Sequence, residues 1–120
     1  MTNEEAYLLA AGKRPDWFVY PNGFARVVRQ GILDLMPWHL MEAKAAREKA
    51  RALAGRYPSR ELFPFAYRQD NDDIACWGKG HGEQVLIIHD FASPGFELER
   101  VFPTFWDWFR EAVEETIHWE

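Results

Sequence analysis

Two short apolar runs in the second half of the chain flank a glycine-rich segment. The runs extend from Asp73 to Trp77 and from Gln84 to His89, and three glycines lie between them. Because glycine readily adopts positive φ angles, this segment reverses the chain tightly, and the pattern predicts a β-hairpin. The stretch from Val85 to Ile88 is continuously apolar rather than alternating, which predicts a central strand buried on both faces.

Three further segments have the character of extended chain. Leu62 to Ala66 predicts a third strand, and Pro64 within it favours a sheet edge or an irregular start, because proline has no backbone N–H to donate. Residues 33 to 41 alternate well enough to predict one extended segment, and Pro37 again favours an edge. Residues 96 to 102 predict an extended segment or an ordered loop.

Helical spacing and capping signals predict four helices. The last one follows a capping box at Thr104 and reaches about Trp119. Trp106 and Trp108 are expected near its rim, and the stripe that packs on the sheet consists of Phe105, Phe109, Ala112, Val113, Thr116 and Ile117. The alanine-rich helix over residues 42–56 has a stripe of small side chains that allows close approach to a sheet. The other two helices cover residues 3–11, with Asn3 as a possible cap, and the residues between Pro21 and Gly31.

Size and composition favour one domain over residues 1–120 that binds another protein. Nearly half of the 120 residues are hydrophobic, which is enough for a core, and the six Trp and nine Phe exceed what a small core needs. We expect some of these rings at an interface. A formal charge of −5 makes a nucleic-acid partner improbable and favours a basic one.

The single cysteine and the apolar segments bear on the compartment. Cys76 stands alone, so neither a disulfide nor a cysteine-based metal framework forms within the chain, and a reducing compartment is the simpler expectation. The N-terminus lacks a basic region before its short apolar run, and no segment has the roughly 20 apolar residues that cross a bilayer. We therefore expect a cytoplasmic protein without a membrane partner.

The acidic run from Asp70 to Asp73 has two interpretations. Closely spaced oxygen ligands bind divalent cations, but the calcium-loop template would need glycine in place of Ala75 and glutamate in place of His81. The alternative is a turn in which Asx side chains accept hydrogen bonds from local amides. We favour the turn and assign neither a metal nor a cofactor.

His89 and Asp90 follow the predicted central strand, where a histidine beside a carboxylate would suit a general base. Neighbours in a strand point to opposite faces, and no Ser or Cys nucleophile is evident nearby. We therefore favour a structural or partner-contacting histidine and assign no catalytic residue. The alternative is a small metal-dependent hydrolase that uses the Asp70–Asp73 run together with His89 and Asp90.

Three stretches carry a resemblance to a known family: Leu62 to Trp77, Val85 to Glu97 and Phe105 to Phe109. They hold, in order, a Pro-Phe-Ala segment, an aspartate at a strand start, a hairpin and an aromatic-rich terminal helix. The chain resembles here a bacterial branch of the SUKH superfamily, the Smi/Knr-like domains. The family's widespread Leu-Pro and Asn-Gly-Gly opening is not evident in this sequence.

The resemblance implies an α+β fold in which a mixed, mainly antiparallel sheet is packed by helices. It also implies binding rather than catalysis, since many bacterial members resemble immunity proteins that neutralise a cognate toxin, often a nuclease. We accordingly expect a non-catalytic protein-binding domain, with a basic toxin as its partner. The acidic and histidine side chains at predicted strand ends and turns are the candidate contacts: Asp70, Asp72, Asp73, His89, Asp90 and Glu97.

Overall fold

The computed structural model describes residues 2–119 as one α+β domain built on a six-stranded sheet. The strands lie in the sheet in the order of the chain, and all five pairings are antiparallel. The predicted α+β fold is confirmed, although the described sheet is a purely antiparallel meander rather than a mixed one. The strands are β1 (Asp34–Leu35), β2 (Trp38–Leu40), β3 (Leu62–Arg68), β4 (Asp73–Gly78), β5 (Val85–His89) and β6 (Leu98–Phe102).

The described residues form four α-helices: α1 (Asn3–Tyr7), α2 (Asn22–Arg29), α3 (Ala43–Arg56) and α4 (Phe105–His118). The last three cover the sheet, and α1 packs against α2 and α3. A short 3-10 turn at residues 11–13 follows α1. The predicted cap of α1 was wrong by one residue. The hydroxyl of Thr2 accepts a hydrogen bond from the amide of Glu5 at 3.1 Å, so Thr2 is the cap and Asn3 is the first helical residue.

The β4–β5 hairpin and its buried inner strand are confirmed. Val85, Leu86 and Ile88 are fully buried, and Ile87 is 5% exposed. Val85 and Ile87 pack in the aromatic core beneath α2 and α4. Leu86 and Ile88 pack on the opposite side, in a smaller core beneath α3. The sheet therefore has helices on both faces, which explains why this strand lacks the alternation of a half-exposed one.

Aromatic rings fill the larger core. The rings of Phe65 and Trp77 stack with their centroids 4.2 Å apart, and Trp108 meets Phe65 edge-on at 4.9 Å. Trp108 is 1% exposed, so the prediction that it lies at the rim of α4 was wrong. Trp106, at 38% exposed, does lie there.

The two prolines that favoured edge positions occupy an inner strand and a turn. Pro64 lies in β3, which has β2 on one side and β4 on the other, and the β3–β4 register shifts between Pro64 and Ala66. This bulge accommodates a residue that cannot donate to the ladder. Pro37 lies in the turn between β1 and β2, so residues 33–41 form a small hairpin instead of one extended segment.

Candidate functional site

All six candidate residues lie at one end of the sheet. The β3–β4 turn (residues 69–72) and the β5–β6 loop (residues 90–97) lie side by side there, because the Asp90 amide donates to the Asp72 carbonyl at 3.0 Å. The His89 amide donates across the loop to the Glu97 carbonyl at 2.7 Å. We call this region, formed by residues 69–73 and 89–97, the acidic end.

The acidic run forms a turn, as the favoured interpretation predicted. The Asn71 side-chain oxygen accepts a hydrogen bond from the Asp73 amide at 2.8 Å, which is an Asx turn. The Arg68 guanidinium donates to both carboxylate oxygens of Asp70 at 2.9 and 3.0 Å, and these bonds hold the pKa of Asp70 below its ordinary value. Asp72 stays exposed at the tip of the turn.

His89 and Asp90 lie on opposite sides of the sheet. The Asp90 carboxylate is 1% exposed, on the side of α3, and accepts hydrogen bonds from Arg56 at 2.7 and 2.6 Å and from Lys49 at 3.2 Å. Burial by itself raises the pKa of Asp90, but the hydrogen bonds from Arg56 and Lys49 outweigh it and bring this pKa below the usual value. The carboxylate therefore serves as an internal ion-pair partner of α3.

Glu97 is internal as well. Its side chain is 2% exposed and accepts hydrogen bonds from Arg60 at 2.6 Å and from the Gly95 amide at 2.6 Å. The Arg60 hydrogen bond lowers the pKa of Glu97 despite its burial. Asp90 and Glu97 thus tie the β5–β6 loop to α3 and to the segment that follows it, and neither of these two carboxylates lies at the surface. Both residues were expected among the six surface contacts, and for these two the expectation was wrong. Their ion pairs with Arg56 and Arg60 hold the side chains inside the protein.

On the α4 side of the sheet, His89 faces two carboxylates. His89 Nδ1 is 2.8 Å from Asp73 Oδ1 and 3.5 Å from Glu99 Oε1. The hydrogen bond with Asp73 raises the pKa of His89, and the charge of Glu99 adds to it. Burial and the nearby Asp73 carboxylate raise the pKa of Glu99. We call these three residues the Asp73–His89–Glu99 cluster. Glu99 was not among the residues predicted from the sequence, because it sits at a bulge that strand alternation does not reveal.

An apolar cavity of about 300 Å³ opens on the α3 side of the same end. Phe91 lies at its rim with its ring 66% exposed and its backbone at φ 67°, the left-handed region that a bulky residue rarely adopts. The Arg56 guanidinium lies 4.3 Å from the centre of this ring. We call this opening the Phe91 cavity, and its other walls include Met41, Tyr67, Asp72 and Ile74. The sequence analysis did not single out Phe91.

Exposed apolar side chains continue from the Phe91 cavity through the β5–β6 loop into the edge strand β6. Leu98 and Val101 pair with Ile88 and Leu86, whose side chains lie beneath α3, but at the edge strand they are 38% and 41% exposed. Phe96, in the loop before β6, is 80% exposed. Residues 91–101 therefore carry four of the nine large hydrophobic side chains that are exposed in the described part of the chain.

Fold and site together define a small antiparallel α+β domain with a half-open polar cluster and an apolar cavity at one end of its sheet. Comparison of the chain with protein-family models, with curated proteins and with solved structures gave no match. Among residues 2–119, none of the helices has the length and apolar character that a membrane crossing requires.

Proposed function

We propose that this chain is a non-catalytic protein-binding domain that docks a basic protein at the Phe91 cavity. The observation that carries the proposal is Phe91 itself, a large apolar ring two-thirds exposed on a left-handed backbone. Strained backbone at a non-glycine residue costs on the order of 1–3 kcal/mol and is concentrated at functional sites. The strain here presents a ring to the solvent beside an apolar cavity, which is the form of an interface anchor.

The surroundings of the ring favour a basic partner. Asp72 is exposed in the wall of the cavity, the cations that line the cavity, Lys49 and Arg68, are already paired with carboxylates, and the chain as a whole carries a formal charge of −5. Aromatic anchors supply binding energy at a desolvated centre, while rim charges steer a partner of opposite charge and speed its association. The proposed contact set is therefore Phe91 and Tyr67 at the centre, with Asp72 on the rim.

The resemblance to the SUKH superfamily supplies the kind of partner. We propose an immunity role, in which the domain neutralises a basic toxin such as a nuclease. The cytoplasm is the proposed compartment, and the free, fully buried thiol of Cys76 is in keeping with it. These finer statements depend on the resemblance, whereas the docking surface depends on the geometry of Phe91 and its neighbours.

The hydrolase alternative loses support from the position of Asp90. That alternative requires Asp90 beside His89 in one pocket, but Asp90 is committed to Arg56 and Lys49 on the far side of the sheet. We therefore retain binding as the proposed function.

Capture from lysate of the source cells tests the proposal. The wild-type chain is immobilised beside Phe91→Ala, Asp72→Lys and the control Val19→Ala, which trims an equally exposed apolar side chain elsewhere. We expect wild type and Val19→Ala to retain the same basic protein. With that protein purified, calorimetry should give Kd values about tenfold or more weaker for Phe91→Ala and Asp72→Lys.

Three outcomes would contradict the proposal. Equal affinity of all four chains would remove the Phe91 cavity as the docking surface, and an acidic captured protein would contradict the charge argument. The immunity role has its own test, which is growth of cells that express the captured protein with and without this chain. If the captured protein is harmless alone, the toxin part of the proposal fails while the docking surface stands.

A further inference from the structure

We propose that the Asp73–His89–Glu99 cluster is a binding site for a divalent first-row transition metal ion, with Zn²⁺ preferred over Mn²⁺. The inference is independent of the proposed docking function, because the cluster lies on the α4 side of the sheet and the Phe91 cavity lies on the α3 side.

The spacing of the donor atoms suits such an ion. One donor atom from each of the three side chains lies within 4.8 Å of the other two. His89 Nδ1 is 2.8 Å from the Asp73 oxygen and 3.5 Å from the Glu99 oxygen. Bonds of roughly 2.0–2.2 Å at tetrahedral angles place neighbouring ligand atoms about 3.3 Å apart, so both separations are near the value that a bound zinc ion sets.

The sheet brings the three side chains together. Asp73 and His89 are directly opposed across the β4–β5 ladder, so their side chains share a face. Glu99 is the extra residue of a bulge in β6, since Ile88 pairs with Leu98 and Ile87 pairs with Arg100. A bulge re-aims a side chain. Here it turns the Glu99 carboxylate towards a histidine on the neighbouring strand.

The charges around the cluster favour a cation. A cavity of about 220 Å³ adjoins it, and four carboxylates but only two guanidiniums line the wall. Both guanidiniums already have carboxylate partners: Arg68 pairs with Glu115, and Arg100 pairs with Glu111. Asp73 and Glu99 therefore face one another with His89 as the nearest compensating group. A metal ion relieves the repulsion between two such carboxylates directly.

The donor set indicates the class of ion. One imidazole and two carboxylates suit zinc, iron or manganese better than the all-oxygen coordination that magnesium and calcium prefer. His89 and Glu99 are 41% and 43% exposed, so the ion has access to the site. Three protein ligands leave at least one coordination position open, which is the arrangement of a site that also binds water or a substrate oxygen.

The competing arrangement is an ion-pair cluster, in which a protonated His89 bridges the two carboxylates without any metal. Calorimetry on untagged, chelator-treated protein separates the two. We expect one Zn²⁺ per chain, Mn²⁺ bound about tenfold or more weakly, and no saturable heat with Mg²⁺. His89→Gln and Glu99→Gln should each weaken Zn²⁺ binding about tenfold or more. Both side chains are over a third exposed, so these variants should keep the fold, which circular dichroism checks.

His118→Gln is the matched control, because it also removes a histidine that lies beside a carboxylate. His118 Nε2 and Glu114 Oε2 are 3.5 Å apart on the exposed face of α4. We expect this variant to bind Zn²⁺ as wild type does. In a spectrum that resolves the histidine ring protons, Mn²⁺ should broaden the signals of His89 before those of His118. Three results would overturn the site: no saturable Zn²⁺ binding below about 1 mM, binding lost in His118→Gln, or unchanged binding in both ligand variants.

Discussion

Replacing Arg56 by methionine should destabilise the protein by about 3 kcal/mol. The substitution removes the two shortest hydrogen bonds to the Asp90 carboxylate, at 2.7 and 2.6 Å, and leaves that carboxylate 1% exposed with Lys49 as its remaining cationic partner. Breaking a buried ion pair from one side costs about 3–5 kcal/mol. We take the lower end because Lys49 remains and because methionine keeps most of the apolar stem.

Urea unfolding followed by tryptophan fluorescence measures this free energy of unfolding. Arg51→Met is the matched control, because Arg51 is an exposed residue of the same helix, and it should change the free energy by less than about 0.5 kcal/mol. A double-mutant cycle with Asp90→Asn then isolates the pair. Once the carboxylate is neutral, loss of Arg56 should cost about 2 kcal/mol less than it does in the wild-type chain.

Two results would refute this account of the ion pair. The first is a loss of less than about 1 kcal/mol in Arg56→Met, which would mean that water or Lys49 already satisfies Asp90. The second is additivity of the two substitutions within about 0.5 kcal/mol, which would mean that the residues do not interact in solution.

Three further predictions concern other parts of the fold. Gly55→Ala should raise the free energy of unfolding by up to about 1 kcal/mol, because a Cβ at this position of α3 meets open space. Gly23→Ala should lower the free energy of unfolding, because the new Cβ would lie 2.7 Å from the Trp106 ring. Urea titrations of the two variants measure both changes. The hydrogen bond that His39 donates to the Asp34 carboxylate raises the pKa of His39, so an NMR titration should give a value above 6.5 that falls in Asp34→Asn. The stabilisation from that pair is complete below the unfolded-state pKa and is lost as the pH rises through the folded-state pKa, so a pH-independent His39 contribution would contradict it. Burial raises the pKa of the Cys76 thiol, and a disulfide reagent at pH 8 should therefore modify Cys76 only at the rate of unfolding; rapid modification of the native protein would show that the thiol is accessible.

The sequence could predict the elements whose patterns have one physical cause. Val85 to Ile88 is apolar at every position because helices cover both faces of the sheet, and so short a run between turn signals has the length of a strand rather than of a helix. The buried face of α4 was harder to predict. Phe105, Trp108 and Ala112 are buried, whereas Ile117, which the predicted stripe included, is 64% exposed. Two adjacent apolar stripes share the helical period, and only packing against the sheet selects between them.

The site residues show the limits of local patterns more clearly. Asp90 was expected at the surface because it lies at a predicted strand end, and the cations that neutralise it lie 34 and 41 positions away along the chain. Glu99 joins His89 only because a bulge interrupts the alternation of β6. The Asx turn at Asn71, in contrast, depends on residues two apart, and the sequence analysis predicted it.

The strand order has a consequence for how the chain acquires its structure during synthesis. Each strand pairs with the one made just before it, and the widest gap between partners is the segment holding α3, between β2 and β3. A growing polypeptide can therefore add one strand at a time to the sheet as it leaves the ribosome, without waiting for a strand that is distant in sequence. Since rates decline as the mean sequence separation of contacts increases, we expect this sheet to assemble faster than all-β domains of similar size whose strands are interleaved.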